Sequence, residues 1–231
     1  MTTTLPLIGL TGRKRSGKNR TASLLAGYGY TEAAFADPLR DFLEATNPVV
    51  GHELVGPYKV QAIHWRDAID ALGYELAKER YPELRRVMQD AGTEGMREVL
   101  GNRYGLEELL GLSPWVALGE LRIERALHYV EHHSEEFKTF TGRTVRTGLK
   151  SVYHWHEPLA FTDVRFPNEA DLIRKHGGIV VRVARPALAP SSDVHTSETA
   201  MDNYDVDATI LNDGTPRGLE LAVTELVEGL E

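Results

Sequence analysis

The sequence predicts an α/β domain built on a parallel sheet that is covered by helices on both faces. Three observations carry this reading. Strand-like runs alternate with helical stretches, several of those runs are apolar throughout rather than half polar, and a glycine-rich loop joins the first run to the first helix.

Leu5–Leu10 is apolar and leads into Gly12–Lys18, so it reads as a buried strand. Asn19–Ala26 reads as a helix closed by Gly27 and Gly29, and Tyr30–Phe35 as the second strand. Asp37-Pro38 reads as an N-cap followed by proline at the first helical position, opening a helix to about Ala45. From Trp65 to Leu100 apolar residues recur at three- and four-residue steps, as in Ala68, Ile69, Leu72, Leu76 and Leu84, Val87, Met88, Ala91. This predicts helices separated at Pro82 and interrupted near Gly92 and Gly95. Ser113-Pro114-Trp115 opens a further helix to about His133. Residues 134–157 carry Lys138, Arg143, Arg146 and Lys150 without a period and read as a loop or small hairpin insertion. Leu159–Val164, Gly178–Ala184 and Ala208–Leu211 are the remaining strands, and Pro216 to about Leu230 the last helix. Residues 186–206 are rich in Pro, Ser and Asp and suit a mobile loop.

The 231 residues are expected to form a single domain. Its core spans about 1–39 and 158–231, with a mainly helical insertion at about 40–157 and a lid at about 186–206. A net charge of −8 argues against a general affinity for nucleic acid, which requires a positive surface. The chain has no cysteine, which excludes disulfides, thiolate catalysis and cysteine zinc sites. The start has no charged signal region, and no apolar run reaches the roughly 20 residues of a membrane helix. A cytoplasmic protein without a membrane partner is expected. His128 and His132 have helical spacing, but no Glu motif or third ligand accompanies them, so no zinc site is expected.

Gly12-Arg13-Lys14-Arg15-Ser16-Gly17-Lys18 follows a strand and opens a helix, the context in which backbone amides and the helix dipole hold phosphate. Lys18 is placed to reach the β- and γ-phosphates of a nucleotide. The next position is normally Ser or Thr, the Mg²⁺ ligand; here it is Asn19, so metal binding falls to the Asn19 carbonyl oxygen or to Thr21. Arg13, Lys14 and Arg15 read equally as solvated charges or as nucleotide contacts.

Thr162-Asp163-Val164-Arg165-Phe166-Pro167-Asn168-Glu169 stands at a strand end, where open α/β sheets collect ligands. Asp163 suits Mg²⁺ or the attacking oxygen, and Arg165 a two-pronged grip on an acceptor phosphate; a mutual ion pair is the plain alternative. Asp37 and Arg40 follow the second strand and are candidates for acceptor contacts, against a cap and a surface charge. Arg86, Gln89, Thr93 and Arg97 share a helical face suited to reading a base and its phosphate, or simply to solvent. Arg185 is a candidate lid-side arginine, with His195 in the loop beyond it, and Asn212-Asp213-Gly214 reads as a turn lying where adenine is expected.

Asp37-Pro38-Leu39, Gln89…Gly92-Thr93-Glu94…Arg97, Trp115, Thr162–Glu169, His195-x-Ser197-Glu198 and Asn212-Asp213-Gly214 occur in that order. Together they resemble the bacteriophage-type deoxynucleoside monophosphate kinases over nearly the whole chain. The resemblance implies a P-loop three-layer α/β/α fold like adenylate kinase, with a five-stranded parallel sheet, a helical acceptor-binding region and a lid. It further implies ATP and Mg²⁺ as cofactors and deoxynucleoside monophosphates as acceptors. Lys18 corresponds to the phosphate-loop lysine, Arg165 to the acceptor-side arginine and Arg185 to a lid-side arginine. The pattern departs at Asn19-Arg20-Thr21, where such kinases commonly place Asp then Thr, and at the basic segment 134–157. Rival readings are a P-loop kinase of the phosphomevalonate or dephospho-coenzyme A type, and a non-kinase P-loop NTPase or binding module. Base preference is not legible in the residues, and a homodimer is left open because no interface is recognisable.

Overall fold

A computed structural model describes residues 5–126, 158–186 and 199–230. The main sheet has five parallel strands: β1 (Ile8–Thr11), β2 (Thr31–Ala33), β5 (Leu159–Phe161), β6 (Ile179–Ala184) and β7 (Ala208–Leu211), in the order β2-β5-β1-β6-β7. β3 (Val49–Leu54) and β4 (Val60–His64) form a separate antiparallel hairpin. The register sets Gly9 beside Phe161, Leu10 beside Val181 and Val183 beside Ile210.

All four residues of β1 are buried, which explains why it is apolar as far as Leu10. Ile8 and Leu10 join Val181, Val183 and Ile210 in a core with Ala22 and Leu25 of α1 (Lys18–Ala26). Leu219, Val223 and Val227 of the last helix (Pro216–Glu228) complete that core. On the opposite face Gly9 makes room for Val164 and for Ile173 of the helix Pro167–Lys175; a Cβ there would stand 3.0 and 3.1 Å from their side chains. Helices therefore cover both faces, and the three layers expected from the apolar strands are present.

By internal contacts the chain divides into two compact units, Met1–Phe35 with Leu118–Glu231, and Ala36–Ala117. The second unit holds α2 (Asp37–Thr46), the β3–β4 hairpin, α3 (Trp65–Leu72), α4 (Tyr74–Arg80) and α5 (Pro82–Gln89). A helix with i→i+5 hydrogen bonding, Asp90–Arg103, and α6 (Leu106–Leu110) follow. A further helix is described over 114–126; Pro167–Lys175 is α8 and Pro216–Glu228 is α9, with the 114–126 helix taken as α7.

The hairpin is an element that the sequence reading of 40–157 as mainly helical omits. Its strands expose Leu54 and Val60, and Tyr58 in the connecting loop is 98% exposed, so they lack the apolar run of a core strand. Gly51 lies flat against the Tyr81 ring, where a Cβ would stand 2.6 Å from a ring carbon. The expected interruption at Gly92 and Gly95 is also corrected. The chain stays helical there and changes its hydrogen-bond step instead, a wider turn that is rare at this length. Gly92 is buried because a Cβ would meet Leu39 at 2.9 Å, and its carbonyl accepts from Trp115 Nε1 at 3.0 Å.

Residues 199–206 are held to the sheet. Arg182 donates to the carbonyls of Met201 (2.7 Å) and Tyr204 (2.9 Å). Arg174 grips both Asp207 oxygens at 3.2 and 3.0 Å and the Asp205 carbonyl at 2.8 Å. Burial works against the Asp207 carboxylate, but the Val180 N–H and Arg174 outweigh it and hold its pKa below the ordinary value. Residues 187–198, with His195, and 127–157, with the basic insertion, lie outside the described residues. No described helix is long and apolar enough to cross a membrane.

Candidate functional site

The connections leaving β1 and β5 depart on opposite faces of the sheet: α1 packs on one, α8 on the other. Adjacent strands whose connections diverge leave a crevice at their carboxyl ends, the general ligand position in such sheets. Here Gly12–Lys18 follows β1 and Asp163 follows β5, and the Val164 N–H donates to the Leu10 carbonyl at 3.2 Å. The sheet thus brings the two sequence motifs to one edge.

The loop is a turn that its glycines make possible. Gly12 has φ 138°, and a Cβ there would stand 2.3 Å from the Val183 carbonyl oxygen. Gly17 has φ 112°, and its Cβ would stand 2.5 Å from Asn212 Nδ2. Arg15 between them also has positive φ, 65°. Alternating backbone hand of this kind turns successive amides toward a common concavity. α1 begins at Lys18 with no side-chain cap and no acidic residue in its first turn, in contrast to α9, which Thr215 caps. The start of α1 thus has no side-chain cap of its own, the condition in which a helix N-terminus can accept an anion.

Lys18 donates to the Gly12 carbonyl and, at 3.0 Å, to the Arg13 carbonyl, which lays its ammonium over the loop. Ser16 is 2% exposed, and its Oγ has no hydrogen-bond partner. That hydroxyl is closed to solvent. The residues present fit a polyphosphate in two respects: glycines at 12 and 17 let the loop pack against the Val183 carbonyl and Asn212 behind it, and the Lys18 ammonium lies over it. Arg13 pairs with Asp202 at 3.0 Å on the surface, and Lys14 and Arg15 are exposed.

Asn19 is exposed at the start of α1. Thr21 is fully buried, with its Oγ1 unpartnered, so it is sealed from solvent. Asp163 is half-buried, and its Oδ1 accepts from the Phe35 N–H at 2.8 Å. Arg165 is exposed, and its main chain is fixed by the buried Glu169. Glu169 Oε2 accepts from the Arg165 and Phe166 N–H groups at 2.7 and 3.1 Å. Arg185 is half-buried beside Gly214, with Nη2 3.5 Å from where a Cβ on that glycine would lie.

In the second unit Asp37 is the first residue of α2, and Ala36 is the N-cap, one position earlier than the sequence suggests. Arg40 donates to Asp37 at 2.9 Å and stacks 4.7 Å from the centre of the Tyr74 ring. Lys78 Nζ stands 4.2 Å from the same ring centre and pairs with Glu75 at 2.9 Å. Burial first, then the Arg40 and Arg85 cations, lower the Lys78 pKa against the opposing pull of Glu75. Arg86 pairs with Glu83 at 2.8 Å and is well exposed, as is Gln89, while Thr93 and Arg97 are half-buried. The i→i+5 step after Gln89 widens the turn, so Gln89, Thr93 and Arg97 drift around the helix rather than stacking as an α-helix would stack them.

The sequence reading misses Phe35 as the partner of Asp163, Glu169 as a buried bracket, and the Tyr74–Lys78 contact with Arg40. Glu169 carried a signal: an acid three residues into a helix reaches back to its first N–H groups. The other two depend on residues far apart in the chain and have no local pattern.

No family model matches the chain. It is similar to the "Putative deoxynucleotide monophosphate kinase" of Acanthamoeba polyphaga mimivirus, 28% identical over 206 residues that cover 87% of this chain and 86% of the relative.

Proposed function

We propose that the chain is an ATP-dependent kinase that converts deoxynucleoside monophosphates to diphosphates. The observation that carries this is the Gly12–Lys18 cradle at the carboxyl end of β1, with Asp163 at the end of the adjacent β5. Similarity to a mimivirus protein named as a deoxynucleotide monophosphate kinase, across most of both chains, supports the acceptor class.

In this reading an oxygen of the acceptor phosphate attacks the γ-phosphorus in line. The bond to the β–γ bridging oxygen breaks, and ADP and a diphosphate result. The attacking oxygen is already ionised, so no strong general base is needed. Catalysis is positioning and neutralisation of charge. The loop amides and Lys18 hold the β- and γ-phosphates. Arg165, exposed at the β5 edge, orients the acceptor phosphate, and Arg185 adds charge from the β6 edge. Bound Mg²⁺ supplies further neutralisation of the phosphate oxygens. Asn19 and Asp163 are the residues to hold it, since Thr21 is sealed from solvent. Asp37, Arg40, Arg86, Gln89, Thr93 and Arg97 are the acceptor-side residues of this reading.

The deciding experiment is an acceptor panel with ATP and product identification. Deoxynucleoside monophosphates should yield diphosphates and ADP in equal amounts. Phosphorylation of phosphomevalonate or dephospho-coenzyme A instead, or ATP hydrolysis without a second product, would overturn the assignment.

A further inference from the structure

Asn212 lies at the end of β7, 196 residues from the phosphate loop that it touches. It is 7% exposed. Its Nδ2 donates to the Ser16 carbonyl at 2.8 Å, its Oδ1 accepts from the Gly214 N–H at 3.0 Å, and its own N–H donates to the Ala184 carbonyl at 2.8 Å. The side chain is thus held at both ends of its amide. The turn behind it is braced in the same way. Asp213 Oδ1 accepts from the Thr215 N–H (2.7 Å) and hydroxyl (2.8 Å), and Thr215 Oγ1 accepts from Gly218 N–H at 3.1 Å.

Ser16 and Gly17 are the residues whose peptide geometry aims the last loop amides before α1. A carbonyl anchored from behind fixes the plane of the peptide it belongs to, and the N–H of that peptide is Gly17's. Gly17 lacks a Cβ where Asn212 Nδ2 would collide with one at 2.5 Å, so the two residues are fitted to each other.

We infer that Asn212 is a positioning residue that holds the phosphate loop in its anion-binding shape from the rear, rather than a residue that reads the adenine. This rests on the proposed nucleotide site for its consequence, but the clamp itself is a property of the chain alone. A cradle set before the ligand arrives loses less freedom on binding. Loosening it therefore weakens triphosphate binding and leaves the acceptor side unchanged.

The test compares the full chain with Asn212→Asp, Asn212→Ala and Val223→Ala. Aspartate keeps the size and the acceptor for Gly214 but replaces the donor to Ser16 with a repelling oxygen. Val223 is a fully buried core residue of α9, outside the site, and reports general destabilisation. Amide exchange at Ser16, whose N–H donates to the Arg13 carbonyl at 3.1 Å, relative to Val181 in β6, should quicken about tenfold or more in both Asn212 variants and hold its ratio in Val223→Ala. ATP affinity should fall by about tenfold or more in both Asn212 variants with the acceptor KM unmoved. Unchanged loop exchange in both variants, or loosened loops with full ATP affinity, overturns the inference. If the wild-type chain binds no ATP, the kinase reading fails, and the exchange comparison still decides the clamp.

Discussion

The Phe35 N–H donates to Asp163 Oδ1 at 2.8 Å, so the carboxylate after β5 is aimed by the main chain beyond β2, 128 residues away. The Phe35 ring is fixed in turn. It stacks 4.6 Å from Phe161, and it lies so close to Gly119 that a Cβ there would stand 2.3 Å from a ring carbon. Orientation and charge are separable at this residue. Asp163→Asn keeps an oxygen for the Phe35 N–H and loses the charge. It should fold normally, with phosphoryl transfer about a hundredfold slower or worse. Asp163→Ala should also lose about 1–3 kcal/mol of stability by stranding the amide. Steady-state kinetics beside chemical unfolding separates the two effects, and wild-type turnover in Asp163→Asn would remove it from the site.

Lys18 lays its ammonium on the loop carbonyls of Gly12 and Arg13, contacts at a half-exposed position that contribute little to the fold. Lys18→Ala should therefore leave the unfolding midpoint nearly unchanged and reduce transfer by at least about a hundredfold. Near-normal turnover with intact folding would refute the phosphate-loop assignment.

Arg165 presents an exposed side chain from a backbone that Glu169 fixes. Arg165→Ala should raise the acceptor KM by about tenfold or more, as the loss of a charged hydrogen bond implies, and leave the ATP KM within twofold of wild type. Equal effects on both substrates would argue for a general role rather than an acceptor grip.

Trp115 Nε1 donates to the Gly92 carbonyl inside the second unit. Trp115→Phe keeps most of the apolar volume but leaves a buried carbonyl without that donor. A loss of about 1–3 kcal/mol is expected in urea unfolding. A change below a few tenths would mean that water or the wide helical turn replaces the bond.

Burial raises the Tyr30 phenol to about 12, and its hydroxyl has no hydrogen-bond partner. Tyr204 is also raised to about 12, by burial first and then by its bond to Asp171. In the unfolded chain both ionise near about 10. The folded state therefore favours the neutral phenols: their contribution is complete below that value and disappears as pH rises through about 12. Phenolate absorbance should show Tyr30 and Tyr204 titrating late in the folded protein, with Tyr81 also raised by its bond to Glu53. Tyr30→Phe should remove one late component, keep the others, and hold or raise stability by about 1 kcal/mol, since no hydrogen bond is lost. A clear destabilisation would show that the hydroxyl has a partner such as water.

Much of the architecture was readable along the chain because it depends on near neighbours. The apolar run at Ile8–Leu10 announces a strand covered on both faces, and the mainly apolar runs at Ile179–Val183 and Ala208–Leu211, broken by Arg182 and Thr209, announce its neighbours. Glycines at 12 and 17 flank a loop that opens a helix, and the positive φ that both adopt is legible in that spacing. The β3–β4 hairpin leaves no clear pattern to read because Val50 is the one buried residue of its two strands. Gly92 looked like a helix breaker, yet Leu39 and Trp115 pack against it and repay its conformational freedom with contact.

Local residue order was thus enough for the five strands of the main sheet, most helices and the turn between β1 and α1, since backbone preference and side-chain periodicity act over a few residues. Which groups meet is a different matter. Asn212 behind Ser16, Phe35 above Asp163 and Arg182 under Met201 join positions from 19 to 196 residues apart. Such pairings arise when strands take their places in the sheet, because the order β2-β5-β1-β6-β7 sets which strand ends become neighbours, and no short-range propensity encodes that order.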